Sequence, residues 1–200
     1  MVIFMIGYLA ELLSNYFVKN KIILSEDKNI YKYGAEVTIS SILGILVIVI
    51  ISAFLGKIQD GILFLLCFIP IRVYTGGYHA NTYIKCNFIF IIVFLLIILG
   101  SSNLPEVFEI QISIFVGIVS LVLIILLSPI ENKHKPICSD EKKKYKKISI
   151  TISSLWFIFS VILLFIFDIN LLSLIMLIMF SIAILMIVEK IIQIKNAEGK

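Results

Sequence analysis

Charged residues are scarce in this sequence: only 15% of its 200 residues are Asp, Glu, Lys or Arg, whereas 60% are hydrophobic. Soluble domains average about 25% charged and about 45–50% apolar residues, so the composition excludes a soluble globular domain. The mean hydropathy is +1.11, which indicates an integral membrane protein. The length suits one compact bundle, and we expect a single membrane domain over residues 1–200.

Cysteine and histidine are also rare, with three of the first and two of the second. Cys67, Cys86 and Cys138 repeat no spacing and are odd in number, which excludes a disulfide framework and a paired-cysteine zinc motif. His134 and Cys138 have a spacing compatible with metal ligation, but Pro136 disfavours a helix there. We therefore expect no metal and no cofactor.

Basic residues are concentrated in a few polar stretches. Of the 17 basic residues, all but Lys57 lie in four stretches: 19–32, 72–86, 131–147 and 190–200. If the apolar runs between these stretches cross the bilayer alternately, the four stretches share one face, and the positive-inside rule makes that face cytoplasmic. Both termini are then cytoplasmic. Because the net charge of +4 is spread over such loops, it does not indicate a nucleic-acid partner.

Six apolar runs approach the roughly 20 residues that a helix needs to cross a bilayer. They cover 36–56, 62–71, 87–100, 108–127, 148–167 and 171–188. These runs predict an all-α, polytopic bundle embedded in the lipid bilayer. The run 62–71 is short, with Pro70 near its end, so we expect a span that stops or breaks on reaching the polar stretch 72–86, which completes its depth. A re-entrant segment is the alternative. Gly44, with Ser40 and Ser41, allows a neighbouring helix to approach closely.

The remaining segments are polar or amphipathic. Residues 1–24 predict an amphipathic helix that lies in the membrane interface, with a poor first transmembrane helix as the alternative. They lack the positive start and cleavage site of a secretion signal. We expect loops at 25–35 and 131–147 and a polar tail from Glu189 onwards.

One polar stretch, residues 72–86, separates two apolar runs and holds unusual chemistry. It contains the only arginine, the only Gly-Gly pair, a histidine and a cysteine: Arg72, Gly76, Gly77, His79 and Cys86. A cysteine nucleophile needs a base within hydrogen-bond reach, and a histidine titrates near neutrality. On one straight helix the two would lie roughly 10 Å apart along the axis. We therefore predict a bend between Tyr78 and Cys86, with Cys86 in the first turn of the next helix.

The other polar residues of this stretch have several possible roles. Arg72 either binds an acidic group of a substrate or holds the loop through backbone carbonyls. Lys85 shares these roles or extends to the membrane surface. Because the stretch lacks Asp and Glu, a group that orients His79 would be Asn81, Thr82, a backbone carbonyl or a distant residue.

The residues alone also allow structural roles without catalysis. A cysteine at the start of a membrane helix usually packs as a small apolar residue, and one histidine with one cysteine does not make a metal site. Two non-enzymatic functions stay open: a small permease or export subunit, and a scaffold that docks a partner through the lysine-rich loop. A permease predicts polar side chains inside several spans, and these spans carry few.

The pattern Arg72-x3-Gly76-Gly77-x-His79-Ala80-x5-Cys86 resembles the signature of the accessory gene regulator B (AgrB) family, bacterial membrane endopeptidases that process quorum-sensing peptide precursors. The likeness extends over nearly the whole chain, including the amphipathic start and the lysine-rich loop. It implies that His79 and Cys86 are the catalytic pair, and that the protein is a homodimer in the bacterial cell membrane. The substrate would be a short AgrD-like precursor.

The same resemblance implies a reaction course. Cys86 attacks a peptide bond near the C-terminus of the precursor, and His79 takes the thiol proton. The tail leaves, and a cysteine or serine within the peptide attacks the thioester to close a thiolactone or lactone ring.

Overall fold

The computed structural model describes residues 2–78, 80, 82–103, 108–131, 139–166 and 169–198. Within these ranges the chain forms seven α-helices and a short 3-10 helix at Ser25–Asp27. The α-helices are α1 Val2–Lys19, α2 Lys28–Phe54, α3 Ile58–Thr75, α4 Tyr83–Ser102, α5 Glu109–Leu127, α6 Ser139–Ile166 and α7 Ile169–Glu198. Six of them, α2 to α7, are long and apolar enough to cross a membrane, which confirms the predicted polytopic helical bundle.

The first helix packs against the polar start of α2. Ala10 and Ser14 of α1 are buried, and Glu11 accepts hydrogen bonds from Lys28, at 2.7 Å, and from Lys32. The loop predicted at 25–35 is therefore wrong, because these lysines continue the helix and pair with α1. That α1 lies in the membrane interface stays a prediction.

The third helix ends inside the polar stretch 72–86. Helix α3 runs unbroken through Pro70 and ends at Thr75, which confirms that the span stops on reaching this stretch. Polar residues from both flanking stretches extend the 62–71 run to 18 helical residues, or about 27 Å at 1.5 Å per residue. That length nearly matches a hydrocarbon core of about 30 Å.

Two other predicted polar segments are partly helical. The lysine-rich loop predicted at 131–147 becomes helix from Ser139 onwards, and the tail after Glu189 continues α7 to Glu198. Lys, Glu and Gln are good helix formers, so a membrane helix continues beyond the bilayer wherever no glycine or proline ends it. Hydropathy reports the limits of the apolar run and not those of the helix.

Helix α7 forms the centre of the bundle and packs against α3, α4, α5 and α6. Its apolar residues are buried along most of its length: Leu172, Leu174, Ile175, Met176, Ile178, Met179, Ile182, Ala183 and Met186. A cluster of four aromatic rings joins α3 to α4, with centroid distances of 5.1–5.3 Å among Phe64, Phe68, Phe90 and Phe94. The core therefore lies between α3, α4 and α7.

The basic stretches meet at one end of the bundle. There the ring centroids of Tyr74 on α3 and Tyr145 on α6 lie 5.6 Å apart. The side-chain amide of Gln193 on α7 donates to the Glu131 carbonyl at 2.5 Å. Lys57 lies at the opposite end, where its ammonium donates to the Ser102 hydroxyl at 2.5 Å. The alternating order of the spans agrees with the sequence prediction. Which end faces the cytoplasm stays a prediction.

Candidate active site

The polar stretch 72–86 divides into a helix end, a short non-helical segment and a helix start. Helix α3 ends at Thr75, and both glycines that follow have positive φ, 71° at Gly76 and 115° at Gly77. Helix α4 begins at Tyr83, where the Thr82 side chain caps it by accepting the Lys85 N–H at 3.4 Å. The predicted bend is therefore confirmed, because no single helix connects Tyr78 with Cys86.

Backbone hydrogen bonds attach the segment after α3 to two distant parts of the chain. The N–H of Ile130 donates to the Thr75 carbonyl at 2.8 Å, and Gly76 forms an isolated parallel bridge with Ile130. The N–H of Tyr78 donates to the Leu185 carbonyl of α7 at 3.0 Å. The conformation of this segment therefore depends on residues more than 50 and 100 positions later.

Arg72, in the last turn of α3, holds the same segment through its guanidinium. Its two terminal nitrogens donate to the carbonyls of Gly76 and Tyr78. The carboxylate of Glu189, on α7 and only 6% exposed, interacts electrostatically with this guanidinium. Of the two roles left open for Arg72, these contacts match loop positioning.

Cys86 lies in the first turn of α4, where its N–H donates to the Thr82 carbonyl at 3.0 Å. Its side chain is half-buried, and its thiol is not in a disulfide. Arg72 and Ala80 line the same cavity as Cys86. The thiol therefore shares a cavity with the only arginine of the sequence.

Polar contacts with α2 fix the start of α4. The Tyr83 hydroxyl donates to Glu36 at 3.0 Å, and the Asn87 amide donates to the carbonyl and hydroxyl of Ser40, both at 3.2 Å. A Cβ on Gly44 would meet the Asn87 side-chain oxygen at 3.1 Å. The close helix approach predicted from Gly44, Ser40 and Ser41 is thus confirmed, and it packs Asn87, the residue after Cys86, against α2.

A cavity of about 210 Å³ opens beside Cys86, between α2, α3 and α4. Arg72, Tyr78 and Asn87 line it near Cys86, and farther along the helices its walls are apolar. Tyr78 and Ala80, which precede and follow His79 in the chain, both line this cavity. The site is therefore a thiol at the edge of an apolar pocket.

The other predicted residues are distributed as follows. His79 and Asn81 lie outside the described residues, as do His134 and Cys138. The Lys85 side chain is exposed on the first turn of α4. Cys67 is fully buried in the core, as expected of a packing residue. Among the side chains that the structure describes, no group of three or more His, Cys, Asp or Glu is placed to hold a metal ion.

Three contributors to the site were missed by sequence reasoning. Ile130 and Leu185 act through backbone groups, which carry no side-chain signal, and each lies in or beside an apolar run. Glu189 was assigned to a solvated tail, although it is the first charged residue after an apolar run of α7 and is buried. The sequence signal for Glu189 is an acidic residue that directly follows an apolar run, since ionisable residues at the end of a span often have a functional partner.

The fold and the site define a polytopic helical membrane protein with a half-buried cysteine beside an apolar cavity. The chain belongs to the AgrB family: a model of accessory gene regulator B matches residues 10–193. It is 30% identical to an AgrB-like protein of Clostridium perfringens strain SM101 over 144 residues, 69% of this chain and 67% of that protein. It is also 30% identical to one of Clostridium beijerinckii, over 77% of this chain and 76% of the relative. No solved structure matches the chain.

Proposed function

We propose that this protein is a membrane-embedded cysteine endopeptidase that removes the C-terminal tail of an AgrD-like precursor. Membership of the AgrB family supports a role in processing such peptide signals. The observation that carries the enzymatic proposal is the placement of Cys86. Its thiol lies at a helix start and beside a cavity that Arg72 also lines.

In the first step the Cys86 sulfur bonds to the carbonyl carbon of the scissile peptide bond. The C–N bond breaks, and His79 transfers the thiol proton to the leaving amine. The product is a thioester between Cys86 and the N-terminal part of the precursor. The pairing is supported by Tyr78 and Ala80, the chain neighbours of His79, which line the same cavity as Cys86.

In the second step a thiol or hydroxyl within the bound peptide attacks the thioester carbon. The bond to Cys86 breaks, the sulfur regains a proton, and the peptide leaves as a thiolactone or lactone. Exchange of one thioester for another changes the free energy little, so ring closure needs no further driving force. The reaction that competes with it is hydrolysis of the thioester by water. The apolar walls beside Cys86 limit access of water, and an internal nucleophile held in position reacts at an effective concentration of about 10⁵ M or more.

Arg72 has a positioning role in this proposal. It touches the carbonyls that flank the Gly76–Tyr78 turn and holds the segment that leads to His79. Gly76 and Gly77 allow the turn, whereas Lys85 faces away from the cavity.

The test is co-expression with a candidate AgrD-like precursor, taken from the short reading frames next to this gene, followed by mass spectrometry of the peptide products. Cys86→Ala and His79→Ala should each abolish cleavage. Cys67→Ala is the matched control, because Cys67 is buried away from the cavity and should leave cleavage intact. Cleaved precursor in cells that carry only Cys86→Ala would refute the enzymatic proposal and favour a permease or export subunit.

Two further aspects remain proposals: the orientation and the oligomeric state. With the basic end of the bundle in the cytoplasm, the site and both termini face the cell interior. An impermeant thiol reagent should then label an exposed cysteine introduced at Lys85 only after the cells are lysed. The homodimer is tested by the mass of the purified protein in lipid nanodiscs.

A further inference from the structure

We propose that the cavity beside Cys86 binds the apolar side chain of the residue whose carbonyl Cys86 attacks. This proposal rests on the proposed function, because it assigns the binding pocket of the acyl-enzyme. It predicts that the protein selects precursors with a large aliphatic or aromatic residue immediately before the cut.

The size of the cavity fits one such side chain. An engineered cavity of about 150 Å³ with apolar walls is known to bind benzene. The cavity here measures about 210 Å³, enough for a leucine or phenylalanine side chain and too small for two. A single residue is therefore the expected occupant.

The polarity of the residues that line the cavity changes with depth in the bundle. At the level of Cys86 it includes Arg72 and Asn87, whereas deeper in the bundle the walls are formed by apolar side chains. These deeper side chains are Ile45 of α2, Phe68 and Ile69 of α3, and Phe90 and Val93 of α4. From Cys86 to Val93 the helical rise is about 10 Å, so an apolar group entering from the thiol meets apolar side chains of α2, α3 and α4 over about that length.

The position of the thiol decides which substrate residue enters. After the first step, the acyl residue is covalently bound to the Cys86 sulfur, and its Cβ is only two bonds from the carbonyl carbon. The leaving amine must reach water, which lies at the basic end of the bundle and not in the apolar depth. The deep part of the cavity is therefore available to the acyl residue, and filling it also keeps water from the thioester.

The test uses probes that need no known precursor. N-acetyl chloromethyl ketones of alanine, leucine, phenylalanine and aspartate alkylate a cysteine: the sulfur displaces chloride, a C–S bond forms, and the thiol proton is released. The purified protein in lipid nanodiscs is treated with each probe, and modification of Cys86 is followed by mass spectrometry. Iodoacetamide, which has no side chain, reports the reactivity of the thiol by itself.

We expect the leucine and phenylalanine probes to react roughly tenfold or more faster than the alanine probe, since one methylene in an apolar pocket gives about tenfold or more. The aspartate probe should be the slowest. Ile45→Phe fills the cavity and should remove the advantage of the two large probes over the alanine probe, with each rate divided by the iodoacetamide rate of the same variant. Ile42→Phe is the matched control, because Ile42 lies on the same helix, is 51% exposed and does not line the cavity.

Equal rates for all probes on the unmutated protein would overturn the proposal, and the cavity would belong to another occupant, such as a lipid chain. The same conclusion follows if Ile45→Phe and Ile42→Phe behave alike. This failure differs from a failure of the proposed function. Flat probe rates with cleavage that depends on Cys86 reject the pocket alone, whereas cleavage that survives Cys86→Ala rejects the enzyme.

Discussion

Gly76 is the position at which a single added methyl group should most clearly reduce both stability and activity. Its φ of 71° and ψ of −153° lie in a region that only glycine occupies readily. A Cβ built there would collide with the carbonyl oxygen of Ile130. That carbonyl is backbone, and the N–H of the same residue is bound to Thr75 at 2.8 Å, so it has little room to move.

The cost of Gly76→Ala follows from these contacts. Adopting the glycine-only conformation costs about 1–3 kcal/mol. Loss of the hydrogen bond between Ile130 and Thr75 adds about 1 kcal/mol. The chain can avoid part of this cost by moving the Gly76–Tyr78 segment, but the segment then shifts relative to Cys86. A misplacement of about 1 Å near a reaction centre can reduce the rate roughly a hundredfold.

We therefore expect Gly76→Ala to lower both the unfolding temperature and the rate of precursor cleavage. The unfolding temperature of the purified protein and the initial cleavage rate should be measured on the same preparation. A loss of about 2–4 kcal/mol corresponds to several degrees, at about 2–4 °C per kcal/mol for a chain of this size.

Gly34→Ala is the matched control for this substitution. A Cβ on Gly34 would meet nothing within 4 Å, and Gly34 lies inside helix α2. Alanine there should be neutral or stabilising by up to about 1 kcal/mol, because glycine is a poor helix former. If Gly76→Ala matches Gly34→Ala in both unfolding temperature and cleavage, the turn does not position the site and the reasoning is wrong.

Three other substitutions test separate parts of the structure. Arg72→Lys replaces a guanidinium that bonds two carbonyls by a single ammonium group. Because hydrogen bonds to a charged group contribute about 1.5–3 kcal/mol each, we expect cleavage in the co-expression assay to fall roughly tenfold or more. Hydrogen bonds from Lys28 and Lys32 lower the pKa of Glu11 to about 2. The attachment of α1 should therefore be complete above pH 4.5 and weaken as the pH falls towards 2, and footprinting of α1 should show no such change in Glu11→Gln. Gly117→Val would collide with side chains of α6 and α7 and should lower the unfolding temperature by an amount equivalent to about 1–3 kcal/mol.

Much of the architecture follows from local sequence. The six spans, their alternating order and the meeting of the basic stretches at one end are consequences of hydropathy and charge along the chain. The break between Tyr78 and Cys86 follows from helical rise and the Gly76–Gly77 pair. Each of these inferences uses only neighbours in sequence.

The helix limits were less predictable. The loop expected at 25–35 is wrong, since polar residues that form helices well extend α2 beyond its apolar run. Helix α3 likewise continues through Pro70 and ends at Thr75, inside the polar stretch 72–86. A proline inside a membrane helix is tolerated when the surrounding bundle packs around it. Hydropathy measures where lipid contacts the chain, and it contains no information on where a helix ends in water.

The sequence by itself determined the class of protein, the number and order of the apolar spans, and the residues with reactive side chains. Only the tertiary structure decided that α7 is central, that Ile130 and Leu185 hold the turn after α3, and that a cavity opens beside Cys86. The physical reason is that lipid and protein interior are equally apolar, so an apolar helix face does not reveal in its own sequence which of the two it contacts. That choice is made by the fit of small and large side chains on helices far apart in the chain, as where Gly44 admits Asn87 and so brings Cys86 to the pocket.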